Sequence, residues 1–278
     1  MEKLIRWRKA LPLPVKKAGG IVIKTVLNVI RTLVVPSKIR IIRERKLLDD
    51  SIIVVCVVRN GMDHVQKFLE HHRAIGVKQF IFLLNSTTDG TRDFLLNQPD
   101  TTLLESDASY AYFENQFKKY LIKKYCRRKW CLFLDIDELF VYPGYPSTDS
   151  LQKIIQYSES KNYNAVVTQM LDMFSNTDTK WHSIDEQIYY DVKDIVFESY
   201  IDRQGFKNEY PPEFFDGSIQ FHSNGIRKAL FGSNNGLTKI SFFKYTRPMK
   251  LFVREHHCAD SRLANFSCGL LHLSLIHI

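Results

Sequence analysis

The sequence predicts an α/β protein, a Rossmann-like mixed sheet flanked by helices and preceded by a basic N-terminal helical arm. Three observations predict it. Continuous apolar or β-branched runs of strand length recur at "SIIVVCVV" (51–58), "KQFIFLL" (78–84), "TTLLES" (101–106) and "WCLFLDID" (130–137). Segments of helical periodicity fill the gaps between them. Polar turns, "RNG", "NSTTDGT" and "DIDE", follow strand ends, where ligands of such sheets collect.

Each element has its own reason. "SIIVVCVV" has no polar alternation, as a strand buried on both faces requires. "HVQKFLEHHRAIGV" places Val65, Phe68, Leu69 and Ile75 on one helical face. His71 and His72 on this helix read as packing or capping residues. "TRDFLLNQ" follows as a helix that Thr87 or Thr88 can cap. "YAYFENQFKKYLIKKYC" makes the third helix, and "WCLFLDID" the fourth strand, anchored in the core by Trp130. Alternating strands and helices in this half predict a parallel sheet. Further on, "STDSLQKIIQYSES" reads as a capped helix, and "YNAVVTQML" and "KISFFKYTRPMKLFV" read as strands. Residues 172–235, rich in aromatics, Asn, Asp and Gly, suit a looped acceptor-binding region or an ordinary irregular subdomain. The end, "GLLHLSLIHI", stops on an apolar run and reads as a truncated or imperfectly read terminus.

The net charge of +9 is confined to the arm. Residues 1–50 hold 13 Lys or Arg against 4 Asp or Glu, which leaves 26 of each sign in residues 51–278. A balanced body without a nucleic-acid reading module argues against a nucleic-acid partner. The arm interleaves its charges with Leu, Ile and Val, and carries no cleavable signal pattern. Its most apolar run, Ala18 to Val35, is interrupted by Lys24 and Arg31 and is short for a membrane span. Two readings stay open: a segment lying on an anionic membrane surface, or a solvated helix packing its apolar face on the body. The first places the protein in the cytoplasm, peripheral on the cytoplasmic face of a membrane. Five cysteines without a Cys-x-x-Cys pair indicate buried, unpaired thiols in a reducing compartment.

The chemistry concentrates at "DIDE". On an extended strand Asp135 and Asp137 share a face, and two carboxylates so placed repel unless a cation sits between them. Oxygen ligands favour Mn²⁺ or Mg²⁺, shared with a phosphate. The plain alternative is a surface turn with helix-capping acids. Cys258, Cys268 and His272 also admit a zinc site, although their spacing matches no familiar module.

"VVRNGMDHVQKFLEHHRAIGVKQFIFLLNSTTDGT", followed by "KWCLFLDIDELF", resembles the glycosyltransferase family 2-like group across residues 52–142, with weaker echoes over 237–272. The resemblance implies a GT-A-like fold. Residues 51–142 would be the nucleotide-binding half, and 143–278 the acceptor half. Carried over by position, Asp135 and Asp137 would hold the metal and the donor diphosphate, and Arg59 and Asn60 would lie under the nucleotide. Asn85 and Asp89, in the loop after the second strand, would sit near its base or ribose. A late histidine, His256 or His257, would complete the metal site. Inversion at the anomeric carbon would need a carboxylate base, for which Asp216 is the candidate and Glu213 the alternative. Two positions depart from the group: Gly61 where Glu is usual, and Leu84 where the loop usually begins with Asp. Both fall on donor recognition.

These readings predict a metal-dependent glycosyltransferase moving a sugar from a nucleotide-sugar donor to a glycan or lipid-linked acceptor in surface polysaccharide synthesis. The alternative is a non-catalytic member binding a nucleotide or glycan. A third reading, a phosphohydrolase or nucleotidyltransferase, lacks a Gly-rich phosphate loop and leaves "NSTTDGT" without a role.

Overall fold

The structure is a computed structural model describing residues 25–49, 51–174, 189–190, 195–198, 219, 221–232, 235–254 and 257–273. A helix, α1 (residues 25–34), runs through a single 3₁₀ turn, Val35–Lys38, into β1 (Arg40–Arg43). Then follow β2 (Ile53–Val58), α2 (Met62–Ala74), β3 (Gln79–Asn85), α3 (Thr91–Leu96), β4 (Thr101–Ser106), α4 (Tyr110–Tyr125), β5 (Trp130–Phe133) and β6 (Glu138–Val141). The second half supplies α5 (Thr148–Ser160), β7 (Ala165–Phe174), β8 (Tyr189–Tyr190), β9 (Ile195–Glu198), β10 (Phe221–Asn224), α6 (Ile226–Phe231), β11 (Thr238–Lys244), β12 (Lys250–Arg254), β13 (His257–Ala259) and β14 (Leu263–His272).

One sheet joins both halves in the order β1-β4-β3-β2-β5-β11-β7-β14-β6, with β8 on β7. The core β4-β3-β2-β5 is parallel. β11 runs antiparallel to β5 and β7, and β14 is parallel to β7 and antiparallel to β6. This is the Rossmann-like mixed sheet flanked by helices that the sequence predicts.

Side-chain parity builds the layers. Val55, Leu83 and Leu104 point to one face and meet Phe113, Phe117 and Leu121 of α4. Val54, Phe80 and Phe82 point to the other and meet Phe68 and Leu69 of α2 and Leu151 of α5. Each fully buried Leu or Phe contributes about 1.5–3 kcal/mol. Trp130 closes the second core, its ring 4.7 Å from that of Phe242 and its indole N–H donating to Glu159. All five cysteines are buried and none forms a disulfide. Cys258 lies in the first core and Cys268 in the second, on opposite faces of the sheet. They therefore share no metal with His272, which removes the zinc reading.

The end of the basic arm is built into the sheet. β1 lies antiparallel on β4, and the Arg43 guanidinium donates to the carbonyls of Leu95, Leu96, Gln98 and Thr101. The helix after β3 also starts differently from expectation. Neither Thr87 nor Thr88 caps it; Asp89 accepts from the backbone N–H and hydroxyl of Thr91.

His71 and His72 pin α2 to β6, the structural role expected of them. His71 Nε2 lies 2.7 Å from the Phe140 carbonyl. His72 Nδ1 lies 2.7 Å from the Phe68 carbonyl, and its Nε2 accepts from the Phe140 N–H. Burial, then the neighbouring His71, push the His72 pKa down to about 3. Between pH 6.5 and about 3 the unfolded chain therefore binds a proton that the folded chain refuses. Stability contributed by this site falls as the pH drops below 6.5, by about 1.4 kcal/mol per unit. Urea unfolding from pH 7 to 4 is expected to have a shallower acid slope in His72→Gln than in the wild type.

Candidate functional site

The chain order of the parallel strands fixes where a crevice opens. From β2 the chain steps outward through β3 and β4 by way of α2 and α3, then returns through α4 on the opposite face to β5, on the other side of β2. β2 and β5 thus flank a topological switch point, and ligands of such sheets enter outside the carboxyl ends of those strands. Arg59, Asn60 and Gly61 follow β2 there, and Asp135, Ile136 and Asp137 follow β5.

The antiparallel strands add to the same edge. The amino ends of β11 and β6 and the carboxyl ends of β7 and β14 all lie on it. They bring Lys239, Glu138, Asp172 and His272, and the last three stand abreast, His272 being paired with Glu138 on one side and Asp172 on the other. A β-bulge between Ile240 and Phe242 re-aims β11: Ile240 faces the α4 core and Phe242 the α2 core. Lys239, opposite in parity to Ile240, is thereby turned toward the acids.

Asp135 and Asp137 do not continue the strand. β5 ends at Phe133, and the Glu138 N–H donates to the Asp135 carbonyl to close a turn. The same-face expectation fails for that reason. Asp135 keeps its side chain 45% exposed, 3.5 Å from Lys239 Nζ. Asp137 is buried to 8% and lies 3.5 Å from His272 Nε2. Behind them Glu138 is fully buried, ion-paired with Lys239 Nζ and accepting from the Asp135 N–H. Asp172 receives a two-pronged contact from Arg227 and stands 2.9 Å from His272 Nδ1.

The protein's own cations therefore answer its acids. Burial raises the Glu138 carboxyl to about 7 against the pull of Lys239. For Lys239, burial works downward, but Glu138 and Asp135 outweigh it and leave the ammonium raised. His272 follows the same balance: burial lowers it, and Asp172, Asp137 and Glu138 carry it above its ordinary value. Asp172 ends below the usual carboxylate range, because Arg227 and His272 outweigh its burial.

The loop residues are engaged with one another. Asn60, at a left-handed φ of 53°, accepts from the Thr88 N–H, and Asp89 accepts from the Met62 N–H. The Thr91 hydroxyl accepts from the Gly61 N–H. These bonds lace the β2 and β3 loops together. Asn85 is not a loop residue: it ends β3, buried, and its amide donates to the carbonyls of Ser106 and Ala108. Leu84 also lies within β3, buried in the α2-side core, so its position is a packing site and not the start of the loop. Arg59 is exposed at the crevice and makes no ion pair among the described residues. His257 sits half-buried on β13, while His256, Asp216 and Glu213 lie outside the described residues.

Gly61 is required by space, not by conformation. Its φ of −101° suits any residue, but a Cβ there would stand 2.7 Å from Val58 Cγ2 and 3.1 Å from Ile136 Cγ1. Ile136, from the acidic turn, packs where a side chain would otherwise go. Gly61→Ala is expected to lower stability by about 1–3 kcal/mol through overpacking, readable as a drop in Tm.

Sequence reasoning missed Lys239 in this site and gave His272 only to zinc. The one signal for His272 was the period-2 burial of Cys268, Leu270 and His272 along β14. Among the described residues, no three His, Cys, Asp or Glu side chains already stand together as an ion's ligand set. In donor type, carboxylate oxygens with one imidazole suit Mn²⁺ or Mg²⁺, and Asp135 is the carboxylate half-exposed at the crevice.

No family model matches the chain, and no curated protein matches its sequence. Among solved structures it is similar to 4-diphosphocytidyl-2C-methyl-D-erythritol synthase, with 10% identity and a TM-score of 0.30, covering 51% of this chain and 71% of that one. It is similar to HddC from Yersinia pseudotuberculosis, with 11% identity and a TM-score of 0.30, covering 45% of this chain and 60% of that one. It is also similar to the inositol-1-phosphate CTP transferase from T. maritima, with 10% identity and a TM-score of 0.28, covering 47% of this chain and 57% of that one. The chain thus spans less than two thirds of the length of the last two.

Proposed function

We propose that the protein is a metal-dependent glycosyltransferase that moves a sugar from a nucleotide-sugar donor to a glycan or lipid-linked acceptor, with inversion. The observation that carries this reading is the β2/β5 switch point, where the exposed Arg59 follows one strand and the half-exposed Asp135 carboxylate follows the other. Arg59 would take a donor phosphate through its planar guanidinium. Asp135 and Asp137, with His272 or His257, would hold Mn²⁺ or Mg²⁺. A divalent cation bound there would supply positive charge to the departing diphosphate. Lys239 positions Asp135 from behind, and Asn60 and Asp89 hold the loops that frame the nucleotide. Asp216 would take the proton of the acceptor hydroxyl.

A second reading has its own support. Lys239 and His272 already offset the acids, and Gly61 leaves no room for the Glu usual in the resembling group. A non-catalytic nucleotide- or glycan-binding protein fits those features. Release of nucleoside diphosphate from a panel of nucleotide sugars, with glycolipid acceptor present and with or without EDTA, separates the two. The glycosyltransferase reading expects release that needs both acceptor and metal; no release with any donor favours the binding protein.

A further inference from the structure

Helix α1 sits on the body the wrong way round for a soluble protein. Seen down its axis, Asn28, Arg31, Thr32 and the following Val35 occupy one side, and Val26, Val29, Ile30, Leu33 and Val34 the other. The polar side makes the contact: Asn28 Oδ1 accepts from Gln116 of α4, and the Arg31 guanidinium lies 3.7 Å over the Tyr112 ring. Val35, just beyond the helix, is buried in the α4-side core. The apolar side faces outward, with Val29 55%, Ile30 49% and Leu33 75% exposed. An ordinary surface helix does the reverse, and so large an apolar face costs free energy unless something covers it.

The covering partner can be read from charge and length. Residues 1–50 carry 13 basic and 4 acidic residues, a balance complementary to an anionic surface. No helix among the described residues is long and apolar enough to cross a membrane, and Lys24 and Arg31 interrupt the apolar run from Ala18 to Val35. An apolar face within such a basic segment suits the headgroup region of a bilayer. α4 also links this face to the crevice. Its first residue, Tyr110, comes just after the carboxyl end of β4, on the edge of the sheet where the crevice opens. Tyr112, which seats Arg31, follows two residues later.

We propose that the outward face of α1, centred on Ile30 and Leu33, seats the protein on an anionic lipid bilayer beside the mouth of the β2/β5 crevice. The inference stands on the helix alone and holds whether or not the protein transfers sugars.

The test is co-sedimentation of the full chain with phosphatidylcholine vesicles and with vesicles containing phosphatidylglycerol, for the wild type and for Ile30→Asp/Leu33→Asp. Both positions are exposed, so the variant keeps its fold, checked by an unchanged thermal transition. The wild type is expected to pellet with the anionic vesicles and to release as salt rises, and the variant to bind them roughly a hundred-fold more weakly. Three results overturn the proposal: wild type remaining in the supernatant with anionic vesicles; variant binding as tight as wild type, which puts adhesion in residues 1–24; or a wild-type dimer that the substitutions split without any lipid effect, which makes a second copy the partner.

Discussion

Replacing Lys239 by Met is expected to lower the unfolding free energy by about 3–5 kcal/mol, the cost of stranding a buried charge. Lys239 Nζ is the cation that Glu138 meets in an interior without solvent, and it stands 3.5 Å from Asp135. Without it, the Glu138 carboxyl, already raised to about 7, moves further up. The folded chain then holds a proton that the unfolded chain releases above its ordinary carboxylate range, so the variant loses stability as the pH rises. Urea unfolding at pH 5 and pH 8 should show the deficit growing with pH. The double variant Lys239→Met/Glu138→Gln should recover much of it, because an uncharged pair leaves no stranded ion. A single-variant loss below about 1 kcal/mol would mean that water reaches the pair and that the bulge of β11 has no such task.

Asp135→Asn is expected to leave stability nearly intact and to cut metal-dependent transfer by about 10²–10³-fold, the range seen when one preorganised electrostatic group is removed. Asp135 is the better target of the two Asp residues because it is half-exposed, whereas Asp137 is buried against His272. Loss of activity in Asp135→Asn therefore reports on the site and not on folding. Equal activity in variant and wild type would remove Asp135 from the chemistry.

The parallel half of the fold is legible because β2, β3 and β4 sit in long apolar or β-branched stretches and α2 shows clean helical spacing. What escapes is structure that depends on partners distant in the chain. β6 has only four residues and begins with the acid Glu138, so it shows no strand pattern until β14 pairs with it. β1 hides in the basic arm because its strand-like side chains include Arg43, whose guanidinium is spent on backbone carbonyls. At the site, "DIDE" marks the right edge of the sheet, but the turn after Phe133 separates two acids that an extended chain would have aligned. Lys239 cannot be seen in "TKISFFK", since the bulge that turns it inward arises only when β11 pairs with β7. For the same reason Asn60 and Asp89 stand out in sequence as polar loop residues, while their bonds across the two loops appear only in the fold.

Calorimetric titration of UDP and then GDP into the full chain, with and without Mn²⁺, for the wild type and Asp135→Asn, tests for a donor site at the β2/β5 switch point. A donor site there requires that one nucleotide bind only when the metal is present, and that the substitution abolish this binding while the thermal transition stays in place. Binding of neither nucleotide, or binding indifferent to both metal and substitution, would contradict a donor site at the β2/β5 crevice.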